Sequence, residues 1–195
     1  MSKGHNKSAL VCFTGAAGAG KSVLAKAVSE GLKIPLFDRD DFKDLLFDTL
    51  GWSDRDWSRK LGMASWALLM SVASTLVTHG VTIILDSNFK PSDTFAQHLT
   101  PSTEQHGVAR VEIHLRADVD VLYDRYRSRF LAGDRHPGHV AFETKQEFRN
   151  EVNDTIFAPV GFGSLLELDT THAWPEAGTV VSWLATHLDP DVDAR

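Results

Sequence analysis

Residues 15–22 read G-A-A-G-A-G-K-S and match the pattern G-x-x-x-x-G-K-[ST] at every fixed position. An apolar run over residues 8–14 predicts a buried strand before this stretch, and helical spacing of apolar residues predicts a helix over residues 21–31. Glycines let backbone N–H groups surround an anion, and the start of a helix adds its positive end. The stretch therefore predicts a loop that binds the phosphates of a nucleotide.

Individual positions of this loop have expected roles. Lys21 is expected to reach the β- and γ-phosphates, and the Ser22 hydroxyl is expected to bind Mg²⁺. An ordinary glycine-rich turn is the alternative interpretation, but the flanking strand and helix favour a phosphate site. The residues predicted to bind the nucleotide are Gly15, Ala16, Ala17, Gly18, Ala19, Gly20, Lys21, Ser22 and Val23.

Short apolar runs alternate with helical periods along the chain, which indicates an α/β domain with a parallel sheet. The predicted strands cover residues 8–14, 34–37, 81–85, 108–115 and 164–168. The predicted helices cover residues 21–31, 41–50, 54–79, 118–130 and 177–187, and a further helix starts near Glu143. The sequence thus predicts one domain over residues 1–195 with three layers: a five-stranded parallel sheet and helices on both of its faces.

Two predicted helices carry apolar stripes that we expect to face the core. On the helix over residues 54–79, the stripe consists of Ala64, Leu68, Val72 and Leu76. On the helix over residues 118–130, it consists of Val119, Leu122, Tyr126 and Phe130.

Charge and cysteine content limit the partners. The formal net charge is −6 and no block of Lys or Arg occurs, which disfavours a nucleic-acid partner. The single cysteine, Cys12, can form no intrachain disulfide and is expected to be buried and unreactive. Residues 1–7 lack the apolar part of a signal peptide, and no apolar run approaches the roughly 20 residues of a membrane span. The tail from Asp189 is acidic and is expected to fray. We therefore expect a cytoplasmic protein without membrane contact.

The second predicted strand ends in F-D-R-D-D-F-K, residues 37–43. A hydroxyl group that accepts a phosphoryl group needs a carboxylate nearby, which orients the hydroxyl and takes its proton. Asp40 is the candidate for this role, and Asp38 and Lys43 lie beside it. The alternative is that Asp40 or Asp41 only caps the following helix.

The third predicted strand ends in I-I-L-D-S, so Asp86 can contribute to a Mg²⁺ site and Ser87 follows it. Many hydrolytic ATPases have a glutamate at the position of Ser87, and GTPases read guanine with an N-K-x-D motif that this sequence lacks. A solvated carboxylate at a strand end is the alternative interpretation of Asp86. The pattern favours a kinase over a GTPase or a motor.

Three segments together resemble the phage-type polynucleotide 5′-kinases. They are D-R-D-D-F-K at residues 38–43, L-D-S-N-F at residues 85–89, and the arginines Arg125 and Arg129 in R-Y-R-S-R. The resemblance spans residues 8–135 and implies a P-loop kinase fold with a helical lid.

The resemblance also implies roles for single residues: a general base at Asp40, an acceptor-side cation at Lys43, and an acceptor or metal-binding residue at Asp86, with Asn88 on the acceptor side. The pair Asp38 and Asp40 is also similar to a D-x-D pattern of shikimate- and gluconate-kinase-like enzymes, which phosphorylate small molecules. Both groups share one fold, so the resemblance supports the reaction more strongly than the acceptor.

The lid is predicted over about residues 125–142. Arg125 and Arg129 are four residues apart on one predicted helix, so we expect their guanidinium groups to share a face and one of them to close on the phosphates. A solvated basic face is the alternative. The segment G-D-R-H-P-G-H at residues 133–139 predicts a shaped loop, part of which the polynucleotide kinases lack. Three side chains of this loop are expected to contact the acceptor: Arg135, His136 and His139. For the two histidines, a purely structural turn is the alternative.

Two other segments give weaker signals. Trp52, Trp57 and Trp66 either wall an acceptor pocket or pack in the core. Residues 166–171 are assigned to the neighbourhood of the adenine from their position alone.

Taken together, these patterns predict a kinase that uses ATP and Mg²⁺ to phosphorylate a hydroxyl group of a small molecule. The predicted catalytic residues are Lys21, Asp40, Arg125 and Arg129, and the predicted metal ligands are Ser22 and Asp86. The predicted acceptor-binding residues are Asp38, Lys43, Asp86, Asn88, Arg135, His136 and His139. Two alternatives stay open: a polynucleotide 5′-hydroxyl as the acceptor, and a nucleotide-dependent switch without an acceptor. Neither the acceptor nor the oligomeric state follows from the sequence.

Overall fold

The computed structural model describes residues 8–91, 95–153 and 155–188, so the predictions for residues 1–7 and for the tail from Asp189 lie outside the described residues. The strands are β1 (Ala9–Thr14), β2 (Leu36–Asp38), β3 (Ile83–Asp86), β4 (Ala109–Arg116) and β5 (Ser164–Asp169). The helices are α1 (Lys21–Leu32), α2 (Arg39–Leu50), α3 (Arg55–Thr78), α4 (Phe95–Gln105), α5 (Val119–Leu131), α6 (Lys145–Glu151) and α7 (Ala177–Leu188).

The five strands form one parallel sheet in the order β2-β3-β1-β4-β5. β1 lies at the centre of the sheet, and all of its residues are buried. The carboxyl ends of neighbouring strands meet at one edge, where Asp38 of β2 pairs in register with Asp86 of β3. The predicted α/β class, with a five-stranded parallel sheet between helices, is confirmed.

Helices on the two faces of the sheet create two hydrophobic cores. Alternate residues of β1 point to opposite faces, so Val11 and Phe13 join the core that includes α1, α5 and α7, whereas Leu10 and Cys12 join the core that includes α3 and α4. Burial raises the pKa of the Cys12 thiol well above its ordinary value, which keeps the sulfur protonated. Cys12 is therefore buried, as predicted.

Helix α4 is a helix that the sequence patterns did not predict. It contains Pro101, which cannot donate a hydrogen bond to the carbonyl four residues earlier, and several Ser and Thr residues that compete for backbone hydrogen bonds. Leu99 and Thr103 are both buried, and the helix packs against α3. Tertiary packing thus outweighs a weak local propensity.

Helix α3 buries a different face from the predicted one. Leu68 of the predicted stripe is 44% exposed, and Ala64 is exposed too. The buried positions lie one residue further along and include Leu61, Ser65, Leu69, Ala73 and Val77. Apolar residues lie on both faces of α3, so their spacing did not decide which face is buried; Ser65 and Ala73 on the buried face are small and suit close packing. On α5, Leu122 and Tyr126 are buried as predicted, but Phe130 is 43% exposed.

By length and apolar composition alone, α3 could cross a membrane, and among the described residues no second helix meets these criteria. The sequence-based statement that no such run exists was therefore too strong. Core helices of globular proteins meet the same criteria, and α3 contacts α2, α4 and β3. These contacts are those of a core helix.

The corrected face of α3 can be tested with neighbouring leucines. We expect Leu69→Ala, which removes a fully buried side chain, to lower the free energy of unfolding by about 2–5 kcal/mol. Leu68→Ala is the matched control and should cost no more than about 1 kcal/mol. Urea unfolding followed by circular dichroism measures both, and equal losses would contradict the observed orientation.

Candidate active site

The phosphate-binding loop joins β1 to α1 and ends at Gly20, the N-cap of α1. Gly20 has a φ of 93°, a left-handed conformation that glycine adopts easily. A Cβ atom at this position would lie 2.0 Å from the Trp174 ring, so only glycine fits there. Because Gly20 provides no side-chain cap, the first N–H groups of α1 remain available to an anion.

Lys21 is held in a defined position at the start of α1. Its buried Nζ donates hydrogen bonds to the carbonyl of Ala16 at 2.9 Å and to Oδ1 of Asn88 at 2.7 Å. Burial lowers the pKa of Lys21, and the nearby carboxylates of Asp86 and Asp40 oppose that effect. Asn88, which was predicted on the acceptor side, thus holds the lysine of the phosphate-binding loop.

Asp38 and Asp86 lie side by side at the carboxyl ends of β2 and β3. Burial, followed by the charges of Asp86 and Asp40, raises the pKa of Asp38 to about 8. Burial also raises the pKa of Asp86. The Ser22 hydroxyl and the Asp38 carboxyl lie near the Asp86 oxygens but form no hydrogen bond of good geometry with them. In the absence of a bound cation, Asp38 is therefore the carboxyl group of this pair that stays protonated at neutral pH.

Asp86 and Ser22 suit a Mg²⁺ ion. Magnesium in proteins takes one or two carboxylates and fills its remaining positions with phosphate oxygens and water. Both oxygens of Asp86 are buried without a hydrogen bond among the described residues, and a cation would stabilise such oxygens. Both residues line one cleft together with Lys21, so the structure brings the two predicted metal ligands together.

Helix α2 starts at the same edge of the sheet. There one aspartate caps the helix, and another is left free for contacts in the cleft. The Asp38 carboxylate accepts a hydrogen bond of 2.8 Å from the backbone N–H of Asp40, so Asp38 is the N-cap. The capping alternative considered for Asp40 or Asp41 therefore applies to Asp38, and α2 begins at Arg39, earlier than predicted. The side chain of Asp40 is left for other contacts.

Asp40 forms an ion pair with Arg135, with 2.8 Å between Nη2 and Oδ2. Burial pushes the pKa of Asp40 upward, but the positive charges of Arg135 and then His139 outweigh burial and hold the pKa below its usual value. The side chain stays 41% exposed, at the edge of a cleft of about 290 Å³ that Lys21 and Arg129 also line. Asp40 is thus an ionised carboxylate in the cleft of the phosphate-binding loop.

The two arginines of α5 point to different places. Arg129 lines the cleft. Arg125 donates hydrogen bonds to the carbonyl of Thr170 at 2.7 Å and to its hydroxyl at 3.1 Å, and its guanidinium lies 4.2 Å from the centre of the Trp174 ring. Thr170 and Trp174, which follow β5, thus hold the Arg125 side chain, whereas Arg129 is the arginine of α5 that lines the cleft.

The histidines of the loop between α5 and α6 pack on α2. His136 Nε2 lies 3.1 Å from Asp48 Oδ1, and His139 Nε2 lies 2.6 Å from Asp44 Oδ1. Both imidazole rings contact the ring of Phe47, with centroid distances of 5.0 and 5.3 Å. Neither histidine lines the cleft in the described part of the chain. Their position fits the structural alternative better than contact with an acceptor.

A second cavity, of about 690 Å³, opens beside α2 and is bounded by α3 and by the loop over residues 132–144. Its apolar wall consists of Met63, Trp66, Val140 and Phe142, and Lys43 adds a positive charge. Trp66 is therefore a pocket residue. Trp52 is 50% exposed and packs edge-on against His136, and Trp57 donates a hydrogen bond of 2.9 Å to a backbone carbonyl. Trp66 also packs against the core that includes α3 and α4, so it takes part in both the pocket wall and the core packing.

Comparison with protein families matches residues 10–152 to the AAA domain family. The chain belongs to this family. Its strand order and phosphate-binding loop give it the P-loop kinase fold, as the sequence resemblance implied. The matched residues include the loop, Asp40, Asp86 and both arginines of α5.

Solved structures relate this AAA domain protein to kinases. A protein from Chloroflexus aurantiacus J-10-fl, described as a "putative kinase", is 33% identical with a TM-score of 0.86, and the match covers 94% of this chain and 100% of that one. APS kinase from Mycobacterium tuberculosis, in complex with AMPPNP and APS, is 16% identical with a TM-score of 0.57, covering 93% and 98%. Shikimate kinase from Acinetobacter baumannii, in complex with shikimate, is 14% identical with a TM-score of 0.54, covering 93% of each chain. At such low identities the last two show the fold alone. A search of curated proteins finds no match.

Sequence reasoning missed two side chains of this AAA domain protein. Trp174 was not considered, although it follows the last strand at the edge where ligands of such sheets bind. Arg39 was passed over among the carboxylates of residues 37–43, although it lies in the wall of the second cavity. Two sequence signals could have identified them: Trp174 is an aromatic residue that follows the last strand, and Arg39 is a cation beside the candidate base Asp40.

The raised pKa of Asp38 gives a test of the buried acidic pair. An unfolded Asp loses its proton near pH 3.9, whereas folded Asp38 keeps it to about pH 8, so this group's contribution to stability falls as the pH rises between these values. Asn cannot ionise and can still cap α2. We expect Asp38→Asn to stabilise the metal-free protein at about pH 8.5 by on the order of 1–3 kcal/mol, and by less at about pH 5.

Thermal unfolding in EDTA across this pH range measures the effect. Asp124→Asn is the control, because Asp124 is exposed on α5. A pH profile of Asp38→Asn parallel to that of the unchanged protein would contradict the raised pKa of Asp38.

Proposed function

We propose that this protein is a kinase that transfers the γ-phosphoryl group of ATP, with Mg²⁺, to a hydroxyl group of a small molecule. The observation that carries the proposal is the position of Asp40: an ionised carboxylate in the cleft of the phosphate-binding loop, next in sequence to residues that line the larger cavity. The kinase fold agrees with this reaction. The larger cavity is of the size that small molecules occupy, which favours them over a polynucleotide.

The phosphate side of the proposed reaction uses the loop and α1. Backbone N–H groups at the start of α1 and the Nζ of Lys21 bind the β- and γ-phosphate oxygens. Asn88 holds Lys21 in place. Ser22 and Asp86 would hold Mg²⁺, which neutralises phosphate charge in such reactions.

On the acceptor side, Asp40 orients the hydroxyl group and takes its proton as the acceptor oxygen bonds to the γ-phosphorus. The bond between that phosphorus and the bridging oxygen breaks, and ADP leaves with the electron pair. Arg129 stabilises the negative charge that spreads over the transferring group. Arg135 keeps Asp40 ionised and in place until the acceptor arrives.

We further propose that Arg125 and Trp174 form the adenine end of the site. Arg125 stacks on the Trp174 ring, and that ring lies against Gly20 of the phosphate-binding loop. Aromatic and guanidinium planes are suitable partners for a base. The loop over residues 132–144 acts as a lid, because its Arg135 reaches across to Asp40.

The reaction and the base can be tested together. ATP turnover with Mg²⁺ is measured by ³¹P NMR against a panel of hydroxyl metabolites, with a 5′-hydroxyl oligonucleotide in the same series. For an acceptor that reacts, we expect Asp40→Asn to lower kcat by about 10²–10⁴-fold while ATP binding stays nearly unchanged. The control Asp41→Asn, at the exposed neighbouring position, should keep most activity. Unchanged turnover by Asp40→Asn would remove Asp40 from the mechanism.

The two arginines of α5 are expected to separate binding from chemistry. Arg125→Ala should raise the KM for ATP by roughly 3- to 30-fold, because it loses its stacking contact. Arg129→Ala should instead lower kcat by about 10²-fold or more. Arg127→Ala is the control, because Arg127 is exposed and contacts Tyr123. Steady-state kinetics distinguish these outcomes, and the same pattern for Arg125 and Arg129 would argue against the division.

A further inference from the structure

The cavity of about 690 Å³ is lined by more cationic than acidic side chains. Four cationic side chains line it, and Glu151 is the acidic one among the described lining residues. The cationic side chains are Arg39, Lys43, Arg55 and Arg59. Such an excess in a partly apolar cavity is unusual for a protein with a net charge of −6.

Two of the four cations are already paired at the rim. Arg55 lies 3.1 Å from a carboxylate oxygen of Glu147, and Arg59 lies 3.6 Å from one of Asp56. These pairs are partly exposed and are screened by water. They leave Arg39 and Lys43 as the cations to be explained.

Arg39 and Lys43 form no ion pair with a carboxylate among the described residues. The Nε of Arg39 is buried and makes no hydrogen bond there. The Nζ of Lys43 donates a hydrogen bond of 3.0 Å to the Ser58 hydroxyl and lies 5.2 Å from the centre of the Phe47 ring. Burial, followed by the charge of Arg39, lowers the pKa of Lys43, and the carboxylates of Asp40 and Asp44 oppose this effect only in part.

Their position on α2 adds to the cost. Arg39 is the first residue of α2 and Lys43 lies one turn further, so both are near the positive end of the helix dipole. Like charges four residues apart also destabilise a helix. The carboxylates of Asp40 and Asp44 offset only part of this cost at Lys43, whereas an anion bound between the two cations would offset it directly.

Gly62 of α3 leaves room for such an anion. A Cβ atom at this position would lie 3.7 Å from Nζ of Lys43 and 3.9 Å from Nη2 of Arg39. Both cationic groups thus reach the same point, next to a residue without a side chain. A methyl group there would meet no backbone clash, but it would take up space beside both charges.

We propose that the cavity binds the anionic group of the acceptor, a carboxylate or a phosphate, between Arg39 and Lys43. The body of the acceptor packs on Trp66 and Phe142, and its hydroxyl points to Asp40, the residue that follows Arg39. The acceptor class is therefore a hydroxy compound with an apolar or ring-shaped body and one anionic group. This inference rests on the proposed kinase function.

Binding is tested first, without any need for turnover. The protein is saturated with Mg²⁺ and AMPPNP, so that the phosphate-binding loop is filled, and is titrated calorimetrically with phenyl phosphate, benzoate and benzyl alcohol. We expect at least one anionic probe to bind at least tenfold more tightly than benzyl alcohol. The preferred anion distinguishes phosphate from carboxylate. Equal binding of all three probes would overturn the proposal.

Two sets of variants locate the anion. The double variant Arg39→Gln, Lys43→Gln should lose the preference for the anionic probe, whereas Lys26→Gln, Lys60→Gln, at exposed positions, should keep it. Gly62→Ala should weaken binding of the anionic probe several-fold, yet raise the melting temperature by about 1–4 °C, because alanine favours a helix. A preference that survives in the first double variant would place the anion elsewhere and overturn the assignment.

Turnover separates this inference from the kinase function. Matched pairs such as ribose and ribose 5-phosphate, or benzyl alcohol and 4-(hydroxymethyl)benzoate, are compared with a 5′-hydroxyl oligonucleotide. Phosphorylation of an anionic member over its neutral partner supports both proposals. Equal rates within every pair would overturn the anion site and leave the kinase, whereas anion binding without any phosphorylation would support the anion site and contradict the kinase. Preference for the oligonucleotide would overturn the small-molecule class.

Discussion

The ion pair between Asp40 and Arg135 joins the two parts of the site that sequence places far apart. It belongs to a row of three contacts, because Asp44 and Asp48 follow Asp40 at four-residue intervals along one face of α2. Their partners are His139 and His136 on the loop that follows α5. Arg135 offsets the charge of Asp40, and the two imidazole groups lie within hydrogen-bond distance of Asp44 and Asp48. The acidic face of α2 and the loop therefore stabilise each other, and the proposed base is held in this contact.

The same helix separates its charges by face. Asp40, Asp44 and Asp48 meet the loop, whereas Arg39 and Lys43 line the cavity of about 690 Å³. Asp38 is both the last residue of β2 and the N-cap of α2. The end of β2 therefore sets the rotation of α2 and with it the direction of both faces. The arrangement places a carboxylate towards the phosphates and cations towards the opposite side. A bound acceptor would thus meet the Asp40 carboxylate at one end and the cations Arg39 and Lys43 at the other, and all three residues belong to α2.

The sequence predicted what is local and left unresolved what depends on packing. The phosphate-binding loop follows from a short pattern, and Asp38, Asp40 and Asp86 follow from their places at strand ends, where a parallel sheet gathers them. The buried face of α3 and the existence of α4 depend on which neighbours approach, which spacing alone does not encode. Arg125 and Arg129 have helical spacing, but spacing alone does not indicate that Thr170 and Trp174 hold the Arg125 side chain. The histidines were ambiguous because their partners lie roughly ninety residues earlier.

Two clusters of like charge in the site are unfavourable for the protein alone, and each is suited to a ligand of opposite charge. Asp38 and Asp86 are buried together at the sheet edge. Burial raises the pKa of both, and the charges of Asp86 and Asp40 raise the pKa of Asp38 further. On the other side of α2, Arg39 and Lys43 repel each other in the same way. A cation at the first pair and an anion at the second would each relieve a repulsion that folding alone leaves in place. If both ligands bind, the fold gains stability from the same contacts that align the phosphates, Asp40 and the acceptor hydroxyl.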